Sequence, residues 1–153
     1  MVVILVFIVG FLSCKKDNSA ISNGKINYSG TFVKSSDAVV TAATGTVTGT
    51  FDPTTMKLSY QITWSGLGSN ATAMHFHDNG PVIDEITGFS EATSGTMGST
   101  VTLSNSQYAD LQAGKIYVQI HTMNIPAGEI KATLTTSSSS SNYNQGSSGG
   151  YGY

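Results

Sequence analysis

The sequence predicts an all-β fold, a Greek-key β-sandwich or barrel of about seven or eight short strands with one short helix. Three observations lead there. From residue 24 onward apolar and polar residues alternate with a period of two, so successive side chains fall on opposite faces of extended strands. Clusters of Gly, Pro, Asn and Asp interrupt that alternation as turns do. The longer period of an amphipathic helix surfaces in one place, between Ser104 and Gly114.

The elements follow in order. In Lys25–Phe32, Ile26, Tyr28 and Phe32 alternate with Lys25, Asn27, Ser29 and Thr31. In Thr46–Phe51, Val47 and Phe51 alternate with three threonines, and Gly49 sits on the apolar face, where it lets a neighbour approach closely. Asp52-Pro53-Thr54-Thr55 is a turn whose proline presets the second position. Met56, Leu58, Tyr60, Ile62 and Trp64 then share one face, so strands near 45–51 and 56–64 should pair as a hairpin. After a loop over Ser65–Asn70 comes Ala73-Met74-His75-Phe76-His77, a strand that turns Met74 and Phe76 inward and both histidines outward. Asp78–Gly98 reads as an irregular connection of about twenty residues, long for a compact domain, and is the natural wall of any site the histidines form. Val101 and Leu103 mark a short strand. Ser104–Gly114 is the helix, with Ser104 or Ser106 as its cap, Tyr108 and Leu111 toward the core and Gly114 at its end. Lys115–Thr122 and Glu129–Thr135 form a final hairpin around Asn124-Ile125-Pro126-Ala127-Gly128.

The 153 residues fit one domain with tails, over residues 24–136. There is no arginine and the formal net charge is −2, so the basic footprint of a nucleic-acid binder is missing. Val2–Leu12 is almost unbroken apolar sequence, too short to span a bilayer but suited to the core of a secretory signal. It ends at Leu12-Ser13-Cys14, which resembles a bacterial lipobox with Phe11 where leucine is usual. That resemblance implies a signal peptide over residues 1–13, lipidation of Cys14, a tether over 14–23 and a protein held in the cell envelope through acyl chains. The absence of a basic stretch before Val2 fits a start upstream of Met1. Cys14 is the sole cysteine, so no internal disulfide can form and stability must come from the sheet core. Residues 137–153 hold only Ser, Asn, Gly, Tyr and one Gln, a composition that cannot bury a core and predicts a disordered tail.

All three histidines lie in two of the strands: His75 and His77 two apart in one, His121 in the other. On the second strand Ile116, Val118 and Ile120 are the apolar set, which leaves Tyr117, Gln119 and His121 on the polar face. If the two strands share a sheet, three imidazoles converge on one surface and offer an open three-nitrogen site suited to copper or zinc. Glu129, on the polar face of the strand paired with His121, and Asp78 are the carboxylates placed to orient those ligands. The alternative needs no metal: the histidines hydrogen-bond one another, Glu129, Asp78 or backbone. Signals for catalysis are weak. No serine lies in a Gly-x-Ser-x-Gly elbow, no glycine-rich phosphate loop opens a helix, and nothing fixes the separation of Asp84, Glu85 and Glu129 as a hydrolytic carboxylate pair. The sequence predicts a protein that is not an enzyme.

The His-x-His strand, Leu111–Gly114 with Tyr117-Val118, His121-Thr122 and the turn and strand over Pro126–Leu134 resemble the CHRD domain, a family named after chordin and common in bacterial secreted proteins and lipoproteins. The resemblance extends upstream through Gly45–Leu67, and one departure is Ile130-Lys131-Ala132 where the family would lead one to expect Ile-Arg-Gly. Lysine supplies a point charge there instead of a planar fork. The arrangement of histidines is also similar to that of copper–zinc superoxide dismutase, although this chain has neither a fourth histidine to bridge to zinc nor disulfide cysteines. What the resemblance implies is a lipid-anchored binding or structural module, with an envelope protein or glycan as partner. The alternative is a metal-binding protein using His75, His77 and His121.

Overall fold

A computed structural model describes residues 21–22 and 24–137. The proposed signal peptide, Cys14, most of the tether and residues 138–153 lie outside the described residues. The chain runs through β1 (Ile21–Ser22), β2 (Lys25–Thr31), β3 (Val33–Lys34), β4 (Thr44–Asp52), β5 (Lys57–Ser65), β6 (Ala71–Asp78), β7 (Val82–Glu85), β8 (Gly95–Thr102), α1 (Asn105–Gln112), β9 (Ile116–Thr122), β10 (Ile130–Thr133) and β11 (Thr135–Thr136). These strands form two antiparallel sheets. One has the order β1-β2-β4-β5-β8, with β11 also on β2, and the other the order β3-β10-β9-β6-β7. Both sheets are open, so the fold is a sandwich and the barrel closure allowed by the sequence does not occur.

Burial follows the alternation. On β5, Leu58, Tyr60, Ile62 and Trp64 are buried while Lys57, Ser59, Gln61 and Thr63 face solvent. They meet Met74, Phe76, Val118, Ile120, Ile130 and Ala132 from the second sheet in one core. Each large side chain buried there contributes about 1.5–3 kcal/mol. The expected hairpin of β4 and β5 pairs in register from Thr44↔Ser65 to Asp52↔Lys57. Its turn holds Met56 in the left-handed region at φ 57°, which takes Met56 out of the strand and leaves it packed on the edge of the core. Close approach demands a glycine at Gly45, where a Cβ would collide with the Thr63 carbonyl, whereas at Gly49 a Cβ would lie 2.8 Å from Cδ1 of Leu58, the end of a side chain that can give way.

Ser104 is the cap of α1. Its hydroxyl accepts from the Gln107 N–H and the Gln107 side chain accepts from the Ser104 N–H, a reciprocal capping box. Tyr108 stacks on Phe51 and Leu111 is buried, as their spacing requires.

Two further segments differ from the sequence reading. Asp78–Gly98 is partly stranded: Val82–Glu85 folds back as β7 onto β6, and β8 already begins at Gly95. The tight return at Asp78–Pro81, closed by the Asp78 N–H donating to the Pro81 carbonyl at 2.9 Å, makes that pairing local. At the other end the last strand is split. Thr133 ends β10, and Thr135–Thr136 cross to pair with Ser29 and Tyr28 of the opposite sheet.

Candidate functional site

The pairing of β6 with β9 brings the histidines together. Its register, Ala73↔His121, His75↔Gln119 and His77↔Tyr117, places all three imidazoles on the outer face of the second sheet, with Met74, Phe76, Val118 and Ile120 filling the inner face. One nitrogen from each ring lies within 4.8 Å of one from each of the others. His75 Nδ1–H donates to His121 Nε2 at 3.2 Å, so these two histidines hydrogen-bond each other, as the alternative without a metal expects. Two imidazole nitrogens bound tetrahedrally to one zinc ion stand about 3.4 Å apart, so this pair already has the spacing of two ligands.

Backbone carbonyls set the tautomers of two rings. His121 Nδ1–H donates to the Pro126 carbonyl at 2.9 Å, and His77 Nδ1–H donates to the Gly80 carbonyl at 2.7 Å. Each therefore carries its lone pair on Nε2. On His121 that lone pair faces His75; on His77 it is buried with no hydrogen-bond partner among the described residues. An unsatisfied buried acceptor costs free energy unless something outside the fold occupies it. Tyr117 stacks face to face on His77, with ring centroids 4.8 Å apart, and covers it from one side. Burial holds the His75 pKa below the usual histidine value, and the neighbouring His121 and His77 push the same way against a smaller opposing pull from Glu85. The neutral ring, the form that binds metal, is thereby favoured.

A family model for the CHRD domain matches residues 25–134. The chain belongs to the CHRD domain family. The match spans both sheets, α1 and all three histidines, and membership supports a binding or structural domain. No curated protein sequence and no solved structure matches the chain.

Within this CHRD domain the two carboxylates expected beside the imidazoles sit elsewhere. Glu129 is fully buried at one end of the sandwich. Its Oε1 accepts from the Thr41 hydroxyl at 2.5 Å and the Gly68 N–H at 2.9 Å, and its Oε2 accepts from the Thr122 hydroxyl at 2.8 Å. It thus ties the β3–β4 and β5–β6 connections to the end of β9. The alternation that put it on the polar face fails because Glu129 precedes β10, in a turn over which the segment from Ser35 to Thr41 is folded. Its link to the site is indirect. The same turn carries Pro126, and it is held further by Gln119 Nε2 donating to Ala127, by the Ser35 hydroxyl donating to Gly128 and by the tight fit of Gly128 against the Gln119 amide.

Asp78 faces Asp110 and Lys115 beside α1; burial first and the Asp110 carboxylate second raise its pKa. The acid that does reach the cluster is Glu85, opposite His75 on β7. The sequence places Glu85 in the irregular connection over Asp78–Gly98. The apolar pair Val82-Ile83 after a Gly-Pro turn was the signal for the extra strand.

Proposed function

We propose that this protein is a lipid-anchored component of the cell envelope whose CHRD domain binds a transition-metal ion of the copper or zinc class through His75, His77 and His121. The observation that carries the metal reading is the lone pair of His77 Nε2, buried without a partner beside two further imidazole nitrogens. The rings already have the outer support typical of metal-bound histidine, an N–H donated to a backbone carbonyl. The three nitrogens lie within 4.8 Å of one another, and His75 is the ring of the three that no backbone carbonyl holds. Three protein ligands leave a position open to solvent, an arrangement suited to exchange of a small ligand. The anchor reading rests on the apolar stretch Val2–Leu12 followed by Leu12-Ser13-Cys14.

Titration of the purified protein with copper and zinc tests the first part. One equivalent should bind tightly, and His77→Ala should lower affinity about 100-fold or more. Binding that survives in both His75→Ala and His77→Ala overturns the site. For the anchor, labelled fatty acid should enter the wild-type protein and not Cys14→Ser. Equal labelling, or none in either, rejects lipidation at Cys14.

A further inference from the structure

The first sheet turns its polar face away from the histidines, and that face is grooved. Tyr28, Gly49 and Tyr60 are register partners across β2, β4 and β5. Both tyrosine side chains point into the core, so their backbone makes a floor with no side chain on the outer side. Two cross-strand rows flank it. Asn27, Thr50 and Ser59 form one wall, and Ser29, Thr48 and Gln61 the other. The trough between them is largely open to solvent, has a volume of about 490 Å³ and ends beside Ser137. That volume falls within the range of about 300–1,000 Å³ typical of small-ligand sites.

We propose that this trough binds a short segment of an uncharged glycan chain. Its chemistry selects that occupant. Neither wall carries an ionisable group, so a charged ligand would lose hydration with no counter-charge to replace it. An apolar ligand finds hydroxyls and amides on both sides. An extended peptide is read through its main chain at a sheet edge, whereas the floor here has its N–H and C=O groups committed to the ladders between β2, β4 and β5. What the walls supply is a mixture of donors and acceptors at close spacing, the complement of a polyhydroxylated ring. The Thr50 hydroxyl donates to Asn27 Oδ1 at 2.9 Å, which fixes that amide and turns its NH₂ free to donate. Gln61, on the other wall, is exposed and offers both a carbonyl and an NH₂. Hydroxyl contacts of this kind replace water with little net gain, and the trough has no aromatic platform, so a single short chain should bind in the millimolar range.

The test is amide NMR of the full-length protein titrated with maltotriose, cellotriose and laminaritriose, and with trigalacturonic acid as the charged comparison. At least one neutral trisaccharide should give saturable shifts confined to residues 27–29, 48–50 and 59–61. Asn27→Ala with Gln61→Ala should weaken that binding about fivefold or more, the loss expected for about one hydrogen bond. The dispersion of the variant's spectrum shows that it remains folded, and His75→Ala should leave sugar binding unchanged, which separates this site from the metal. Three results overturn the proposal: no saturable shift with any neutral sugar, shifts that map to the histidine face, or preferred binding of the acidic trisaccharide.

Discussion

Replacing Glu129 tests how the end of this sandwich is held. Its carboxylate is fully buried and accepts three hydrogen bonds, from Thr41, Thr122 and the Gly68 N–H. Glu129→Ala removes all three acceptors at once. The Thr122 hydroxyl, itself fully buried, keeps no route to water, while Thr41 and Gly68 lie nearer the surface and recover part of their loss by hydration. At about 1–3 kcal/mol for each donor left unsatisfied, and with partial recovery at two of them, the expected cost is about 3–5 kcal/mol. Glu129→Gln should behave differently. The amide oxygen still accepts from Thr41 and Gly68, and the Thr122 hydroxyl, being donor and acceptor, can rotate to accept from the new NH₂. Only the charge assistance is lost, so the cost should be about 1–2 kcal/mol. Urea unfolding of the wild type and both variants, at unchanged slope, measures the difference. Equal losses for Ala and Gln, or an Ala loss under about 1 kcal/mol, refutes the assignment of Glu129 as a hydrogen-bonded anchor.

Four further outcomes follow from the same geometry. Tyr28 is buried with its hydroxyl unpartnered among the described residues, so Tyr28→Phe should stabilise by about 1 kcal/mol, read as a higher urea midpoint. Burial, with a smaller effect from Tyr108, pushes the Tyr28 pKa up to about 12 from 10.0, so the unfolded chain loses this proton first and stability should fall as pH rises from 10 toward 12; Tyr28→Phe should flatten that fall. At the acid end the depressed pKa of His75 means that the unfolded state takes up its proton first as pH drops below about 6.5, so stability falls there, and His75→Ala should reduce the slope in thermal melts. Ser104→Ala breaks the reciprocal cap of α1 and should cost about 1 kcal/mol in urea unfolding, whereas Ser106→Ala should cost much less because Ser106 is not the cap.

Much of this fold is local and therefore legible in the chain. The alternation in Lys57–Ser65 fixes which residues of β5 are buried, Asp52-Pro53 fixes where its hairpin turns, and Ser104 with Gln107 fixes where the helix starts. The placement of His75 and His77 together on the polar face of their strand needs only the two-residue repeat. Period two, however, names a face and leaves the partner strand and its register open. Pairing β6 with β9 decided that His121, 46 positions along the chain from His75, would stand 3.2 Å from it. The same tertiary contacts buried Glu129 under the β3–β4 and β5–β6 connections and brought Glu85 beside His75 by folding β7 onto β6. Residues within a strand are placed by backbone geometry alone, whereas the composition of the site depends on which distant strands bury their apolar faces together and on what the connecting segments then cover.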